Sequence, residues 1–99
     1  MTIYEHKTSM TIASGAISTT TLKILGGIGK YLLIRANSSG TTFRADLKDD
    51  DSEIRIDYGF HKGELVDDTL RLPMSGTYTI NIKNGSYNDL FKIILAVEE

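Results

Sequence analysis

The chain has 99 residues, which is the length of a single domain. Apolar residues make up 40% of it and charged residues 24%, so it is neither a disordered tail nor a membrane-embedded protein. The absence of cysteine excludes disulfide frameworks and thiolate zinc modules, and a formal net charge of −2 leaves no overall basic excess for nucleic acid.

The charge is unevenly distributed along the chain. Residues 1–48 contain six Lys and Arg against two acids, whereas residues 49–99 contain five against eleven, so the halves carry +4 and −6. Two interpretations follow: the halves pair within one sandwich, or the molecule is polar and stacks head to tail on a partner.

The first half of the chain predicts strands and a hairpin. Residues 2–13 and 16–25 are Thr- and Ser-rich strands, and residues 30–36 form a nearly continuous apolar run typical of a buried strand. Residues 42–48 and 53–60 alternate strictly around an acidic turn, which predicts a hairpin. In its second strand the inward residues are expected to be Ile54, Ile56, Tyr58 and Phe60.

The second half predicts a short strand and another hairpin. Pro73 places the strand at residues 70–74 at an edge or a strand end. Residues 76–98 predict a hairpin around the turn-rich link 84–89, which opens with Asn-Gly and so tolerates positive φ. Because residues 90–97 are apolar on both faces, that strand is expected to be central, with one face against a subunit neighbour.

These elements predict an all-β fold. Seven or eight antiparallel strands at 8–12-residue spacing indicate a single β-sandwich of Greek-key or jelly-roll type over residues 1–99, with residues 1–13 as an arm or edge strand. No convincing helix, linker or internal repeat is present.

The glycine-rich segment from Leu25 to Lys30 is not a nucleotide site. A phosphate-binding loop fails on spacing because Ile24 and Tyr31 occupy the places of the first glycine and the hydroxyl residue. The dinucleotide fingerprint fails because Leu32 replaces its third glycine. We expect a bend between two strands and no bound cofactor.

Acidic and imidazole residues give no catalytic or metal motif. The turn Asp49-Asp50-Asp51 with Glu53 could hold Ca²⁺, but it lacks the EF-hand pattern, and a solvated hairpin tip is the simpler interpretation. His6 and His61 have no recognisable nucleophile beside them. We therefore expect no metal site and no enzymatic activity.

Two sets of residues have the composition of a binding surface. The first set has the basic and aromatic composition of single-strand nucleic-acid sites: Lys30, Arg35, Arg44 and Lys48 with Tyr31 and Phe43. However, the alternation of their strands places Tyr31 and Phe43 toward the core, and the net charge of the protein is negative. We therefore do not expect nucleic-acid binding. Three tyrosines could stack on sugars in the manner of a lectin-like sandwich: Tyr4, Tyr58 and Tyr87.

The N-terminus lacks the cationic start and apolar stretch of a signal peptide, and the longest apolar run, residues 93–97, is far shorter than the ~20 residues that span a bilayer. We expect a cytosolic product that is complete at 99 residues and binds no membrane.

The segment from Asp68 to Ile80, followed by residues 91–97, resembles two kinds of β-sandwich. One is the accessory carbohydrate- or protease-associated domain of bacterial secreted enzymes. The other is the small virion sandwich of tailed bacteriophages, which includes head-decoration (cement) proteins. A chain that begins at its own Met1 without an export signal fits the phage type better.

The resemblance to phage sandwiches implies a non-enzymatic virion protein that stabilises the head by binding between subunits of the major capsid protein, as a trimer or dimer. It would be present in the host cytoplasm during assembly. Exposed-edge reasoning places the contact on the N-terminal strand and the glycine-rich loop, at Ile3, Tyr4, Gly26, Gly27 and Ile28. The alternative is a small carbohydrate-binding module.

Overall fold

The computed structural model describes residues 3–24, 28–50, 55–70 and 76–98. Within these ranges no helix is long and apolar enough to cross a membrane. Eight strands account for most of the described chain: β1 (Ile3–Ile12), β2 (Ile17–Ile24), β3 (Ile28–Ala36), β4 (Thr42–Asp49), β5 (Arg55–Lys62), β6 (Glu64–Asp67), β7 (Gly76–Asn84) and β8 (Asp89–Glu98).

The strands form two antiparallel four-stranded sheets, in the orders β1-β8-β3-β6 and β2-β7-β4-β5. This is the strand order of a jelly roll, in which successive strands alternate between the sheets except at one hairpin. The predicted all-β sandwich is therefore confirmed and narrowed to this type. In each sheet a strand of the acidic second half lies between two strands of the basic first half, which is the internal pairing that the charge distribution allowed.

One of the two predicted hairpins is present. Strands β4 and β5 pair directly, as expected. The hairpin predicted over residues 76–98 is wrong, because β7 pairs with β2 and β4 whereas β8 pairs with β1 and β3. Residues 85–88 reverse the chain across the sandwich, from one sheet to the other. Moreover, Gly85 is not among the glycines with positive φ, so the Asn-Gly signal indicated a bend but not its type.

Strand β6 was not predicted from the sequence. It pairs with β3 through only four residues, so its alternation is too short to recognise. The strand predicted at residues 70–74 falls largely outside the described residues, which omit 71–75, although Leu70 itself is buried in the core.

The core lies between the sheets and is built from the inward-facing apolar side chains of both. Phe43 of β4 and Phe91 of β8 meet edge to face across it, with ring centroids 5.3 Å apart. The inward-facing side chains of β7 and β8 include six that are at most 2% exposed: Tyr78, Ile80, Ile82, Phe91, Ile93 and Leu95.

A bulge in β5 overturns one predicted orientation. The register between β4 and β5 shifts so that Ala45 pairs with Gly59 while Asp46 pairs with Asp57, and Gly59 has a φ of 69°. The extra residue inverts the alternation. Phe60, which was expected to face inward, is 64% exposed, and His61 instead packs toward the Phe43 ring, with centroids 6.0 Å apart.

The predicted central position of the last strand is correct, since β8 lies between β1 and β3. On its outer face Ile94 pairs with Leu33, which in turn pairs with Val66. Leu33 is only 6% exposed although it faces outward, whereas Val66 beside it is 53% exposed. A subunit neighbour on this face stays a prediction.

The connection between β7 and β8 is held by two buried polar side chains. The Asn84 amide donates to the carbonyl oxygens of Ile12 (2.9 Å) and Tyr87 (2.6 Å), and its Oδ1 accepts from the Ser86 amide. Asn84 is fully buried and also exchanges backbone hydrogen bonds with the β1–β2 turn, where Gly15 donates to it and Ala16 accepts from it.

Asp89 fixes the other end of this connection. Its carboxylate accepts hydrogen bonds from the Thr41 hydroxyl (2.6 Å), the Ser38 amide (2.9 Å) and the Leu90 amide (2.8 Å). Burial of the carboxyl opposes ionisation, but these three hydrogen bonds outweigh it and lower the pKa of Asp89. The β3–β4 connection is thereby tied to β8.

We expect replacement of Asn84 by Ala to destabilise the fold by about 2–4 kcal/mol. The buried Ile12 carbonyl oxygen and the partly buried Tyr87 carbonyl oxygen lose their donor, and the partly buried Ser86 amide loses its acceptor. Urea unfolding followed by circular dichroism measures this. Asn37→Ala, at an exposed position, is the matched control and should change stability by less than about 0.5 kcal/mol. Equal effects of the two substitutions would contradict the assigned role.

The free energy of unfolding should fall in acid as Asp89 is protonated. A carboxyl with a lowered native pKa contributes stability above its unfolded pKa, about 3.9, and loses that contribution as pH falls through the native value. In urea unfolding at pH 7, 5 and 3, Asp89→Asn should be less stable at pH 7 and should lose less stability between pH 5 and 3. An unchanged acid dependence would show that other groups cause it.

Candidate functional site

The interface residues predicted from the sequence lie toward one end of the β1-β8-β3-β6 sheet. Ile3 and Tyr4 begin β1 and Ile28 begins β3, while Gly26 and Gly27 lie outside the described residues. Ile3 and Ile28 both have Glu98 as their backbone partner, so a single strand separates them. The fold thus brings these two chain segments close together, and their contact with a partner stays a prediction.

Strands β1 and β2 form one open side of the sandwich. Each is an edge strand of its sheet, and the two strands approach each other on the same side of the sandwich. Their pairing with β8 and β7 runs without a register shift over ten and eight residues. The second half of β1, residues 8–12, and β2 up to residue 22 carry no charged side chain. Long, regular, uncharged edges are the ones available for pairing with another chain.

The opposite side of the sandwich is protected. Its edge strands are β6, which has only four residues, and β5, which is bulged at Gly59 and carries charged residues at Arg55, Asp57 and Lys62. Short strands, bulges and charges are the usual means of blocking edge-to-edge pairing. The two sides of the sandwich therefore differ in their capacity to add a strand.

The outer face of the β2-β7-β4-β5 sheet contains an open cleft of about 390 Å³, called the cleft below. Because side chains alternate along each strand, its walls come mainly from the outward positions of four adjacent strands, and the core residue Ala45 is the exception. Eight residues line it: Ile17, Arg44, Ala45, Asp46, Arg55, Asp57, Asn81 and Lys83.

Asp46 lies at the bottom of the cleft and is only 8% exposed although it points outward from β4. Its Oδ2 forms an ion pair with the Arg55 guanidinium. Its Oδ1 is buried and has no hydrogen-bond partner among the described residues. An unsatisfied buried carboxylate oxygen is costly to the fold, so this atom requires an explanation.

Asn81 is the cross-strand neighbour of Asp46 on β7. The Thr19 hydroxyl on β2 donates to Asn81 Oδ1 at 2.7 Å, which fixes the orientation of the amide. The NH₂ group of Asn81 is thereby left as a donor on the strand adjacent to Asp46. The cleft thus offers a donor and an acceptor on neighbouring strands.

The next row of the face is basic and has apolar ends. Lys83 and Arg44 are direct cross-strand partners, and the nearest acid to Arg44 in the described chain is Asp57 at 4.0 Å. Like charges in such a pair are unfavourable. Ile17 pairs with Lys83, and Phe60 pairs with Arg44; each of these apolar residues is 64% exposed.

The acidic turn gives no metal site in the described part of the chain, where no group of three possible metal ligands occurs. Asp49, expected at a solvated tip, is instead 2% exposed because it takes an inward position of β4. Asp50 accepts a hydrogen bond from the Thr79 hydroxyl at 2.9 Å. Asp51 and Glu53 lie outside the described residues.

The remaining sequence candidates are dispersed. His61 is half-buried and its Nε2 donates to the Tyr58 carbonyl oxygen at 2.7 Å, across the bulge. Tyr58 is not a stacking platform, because its hydroxyl is buried; this burial and the negative charge of Asp67 raise the pKa of Tyr58. Tyr87 is 88% exposed, and Tyr4 lies on β1.

The basic residues considered for nucleic-acid binding do not share a surface. Arg35 faces outward from the β1-β8-β3-β6 sheet and pairs with Glu64 at 2.8 Å. Arg44 and Lys48 belong to the other sheet, and Phe43 is buried in the core.

The cleft was not found from the sequence. Asp46, Asn81 and Thr19 are ordinary outward positions of alternating strands, and only pairing brings them together. One signal was available: Asp46 is one of just two acids in residues 1–48.

No model of a known protein family matches the chain, and no curated protein matches its sequence. Solved structures do match its fold. The mitogen derived from Yersinia pseudotuberculosis has a TM-score of 0.59 at 13% identity, covering 97% of this chain and 87% of that one. FlhE has 0.54 at 9% identity, covering 99% and 97%. The periplasmic g-type lysozyme inhibitor PliG of Aeromonas hydrophila has 0.52 at 17% identity, covering 95% and 85%.

Viral proteins with β-sandwich folds also occur among the neighbours. The C-terminal domain of A223, a structural protein of sulfolobus turreted icosahedral virus, has a TM-score of 0.42, and infectious bursal disease virus has 0.41. Scores at this level carry no argument about function. At these identities the higher-scoring matches establish the fold alone.

We expect Arg55→Met to destabilise the protein by about 1–3 kcal/mol, because the buried Asp46 carboxylate loses the cation with which it forms an ion pair. Chemical denaturation at pH 7 measures the loss. Lys48→Met, at the exposed cross-strand partner of Arg55, should cost less than about 0.5 kcal/mol. Adding Asp46→Asn to Arg55→Met should recover part of the loss, and no recovery would contradict the ion pair as its cause.

Proposed function

We propose that this chain is a non-enzymatic structural protein that attaches to a protein lattice through the open side formed by β1 and β2. In its specific form, the protein is a decoration (cement) protein of a tailed-bacteriophage head that binds between subunits of the major capsid protein. It is then part of the virion, as a trimer or dimer, and is present in the host cytoplasm during assembly.

The observation that carries this proposal is the difference between the two sides of the sandwich. The β5 and β6 side is short, bulged and charged, whereas β1 presents a regular ten-residue edge whose second half is uncharged. An edge of this kind adds to the sheet of another chain through main-chain hydrogen bonds, and neighbouring side chains set the specificity.

The predicted contact residues fit the same arrangement. Ile3 and Tyr4 belong to β1 itself, and Ile28 lies one strand away from it. A partner strand added along the whole of β1 would pass the beginning of that strand, where Ile3 and Tyr4 lie.

Attachment of this kind stabilises an assembly by mass action. A protein that binds only the mature, expanded arrangement of subunits shifts the equilibrium toward that arrangement, without any covalent chemistry. Several copies acting together on one shell would add to the effect through multivalency.

The test is binding of purified protein to undecorated, expanded phage heads. We expect the protein to co-sediment with the heads and to raise the temperature at which they disrupt. Ser9→Lys/Thr11→Lys puts two charges on the uncharged part of the β1 edge and should weaken binding about tenfold or more.

The matched control, Val66→Lys/Tyr87→Lys, adds the same charge at exposed positions away from that edge and should bind like the unmodified protein. Failure of the unmodified protein to sediment with the heads, or an equal loss in both variants, would overturn the proposal.

A further inference from the structure

We propose that Asn84 is a deamidation site that the native fold keeps unreactive, and that its reaction in an unfolded chain prevents that chain from folding again. The proposal is independent of the attachment role, since it concerns the connection between β7 and β8 rather than the β1 edge. Two observations carry it: the residue that follows Asn84, and the contacts that the folded protein makes with both reacting groups.

The sequence at Asn84 favours deamidation. Of the four asparagines, only Asn84 precedes a glycine, whereas the others precede Ser38, Ile82 and Asp89. Deamidation begins when the backbone nitrogen of the next residue attacks the side-chain carbonyl carbon, and a glycine there has no Cβ to obstruct the approach. Asn84 is therefore the asparagine that should react fastest in the unfolded chain.

The reaction forms a C–N bond and releases ammonia. The Gly85 nitrogen gives its proton to hydroxide or a buffer base and bonds to Cγ of Asn84. The side-chain NH₂ group takes a proton from solvent and leaves as ammonia, so that a cyclic imide remains. Water then opens the imide at either carbonyl and gives aspartate at position 84, or isoaspartate, whose main chain runs through the side-chain carbon. Water is the co-reactant, and no oxidation occurs.

The folded protein engages the attacking nitrogen. The Gly85 amide donates to the Thr42 carbonyl oxygen at 2.8 Å, which joins the β7–β8 connection to the beginning of β4. Loss of the Gly85 proton would leave a negatively charged nitrogen facing that oxygen. As in hydrogen exchange, an amide held in this way reacts with base through states in which its hydrogen bond has opened.

The side chain that would be attacked is held at both ends of its amide. The NH₂ group donates to the carbonyl oxygens of Ile12 (2.9 Å) and Tyr87 (2.6 Å), and Oδ1 accepts from the Ser86 amide at 2.9 Å. Asn84 is also fully buried, which keeps water and base away from Cγ. Deamidation in the native state therefore requires this end of the sandwich to open.

The products do not fit the place that Asn84 occupies. Aspartate has an oxygen where the NH₂ group donates, so it would face two carbonyl oxygens and bring a charge to a fully buried position. Isoaspartate lengthens the main chain by a carbon between the groups that bond to Gly15 and Ala16. An unfolded chain that reacts is thereby lost from the population that can fold.

The test compares the reaction in the folded protein with that in guanidinium chloride, at the same mildly alkaline pH and temperature. Incubation in water enriched in ¹⁸O labels the products, and peptide mapping by mass spectrometry gives the rate at each asparagine. We expect Asn84 to react faster than Asn37 in the unfolded chain, and at least about a hundredfold more slowly in the folded protein than in the unfolded chain. After removal of the denaturant, the deamidated chains should remain unfolded.

Gly85→Ala tests the role of the attacking residue. A Cβ there would lie 3.1 Å from Thr42 Oγ1, and Gly85 is not among the glycines with positive φ, so the variant should fold with a small adjustment of that side chain. It should react severalfold more slowly in denaturant and give more refolded protein after a long incubation. Gly40→Ala, at a glycine with open space around it, is the matched control and should behave like the unmodified chain.

Asn84→Asp presents one product directly. At pH 7 it should be destabilised at least as much as Asn84→Ala in urea unfolding, because it adds a buried charge to the loss of the donor. A failure of Asn84→Asp to fold would agree with this expectation. The proposal is wrong if Asn84→Asp is as stable as the unmodified protein, if Asn84 reacts equally fast in the folded and unfolded states, or if it reacts no faster than Asn37 in denaturant.

Discussion

The fold depends on how four connections between the sheets are held at one end of the sandwich. Asn84 ties the β7–β8 connection to the end of β1, and Asp89 ties it to the β3–β4 loop. Gly63, between β5 and β6, completes the set: it donates to the Thr41 carbonyl and accepts from the Ala36 amide. These groups lie beside an apolar core, where an unmade hydrogen bond costs most.

Gly63 shows how tightly this end is packed. Its φ is +75°, and a Cβ added to it would lie 2.7 Å from the Ser39 carbonyl oxygen, so both backbone conformation and space require glycine. The same end determines where the open edge lies. Since Asn84 holds the β1–β2 turn through Gly15 and Ala16, β1 and β2 are kept together on one side of the sandwich.

The sequence predicted strand positions well because alternation depends only on one buried and one solvated face. It failed where pairing mattered. Residues 84–89 indicate a chain reversal. The sequence signal of a reversal is the same whether the next strand joins the same sheet or crosses to the other one. Asn84 and Asp89 have the sequence signature of turn residues. Only the tertiary structure shows that both are buried and that their side chains link the connections between the sheets by hydrogen bonds.

The cleft was hidden for a related reason, and the bulge at Gly59 explains part of it. The additional residue in β5 lets Ile56, Tyr58 and His61 all turn toward the core, which strict alternation forbids. It also sets Asp57 opposite Asp46 and turns Phe60 outward beside Arg44. Two carboxylates in one cross-strand pair repel, and each is compensated diagonally, Asp46 by Arg55 and Asp57 more distantly by Arg44.

That diagonal compensation leaves one oxygen of Asp46 and the charge of Lys83 without a partner in the described part of the cleft. A face selected only for solubility would place its charges at exposed positions, where water satisfies them at no cost. Here a carboxylate is nine-tenths buried on an outward position, next to an amide whose acceptor is already engaged. Departures from simple patterning of this kind concentrate at functional sites. Asp46 takes this place because strand pairing sets it between Asn81 of β7 and Asp57 of β5, with Arg55 as its ion-pair partner.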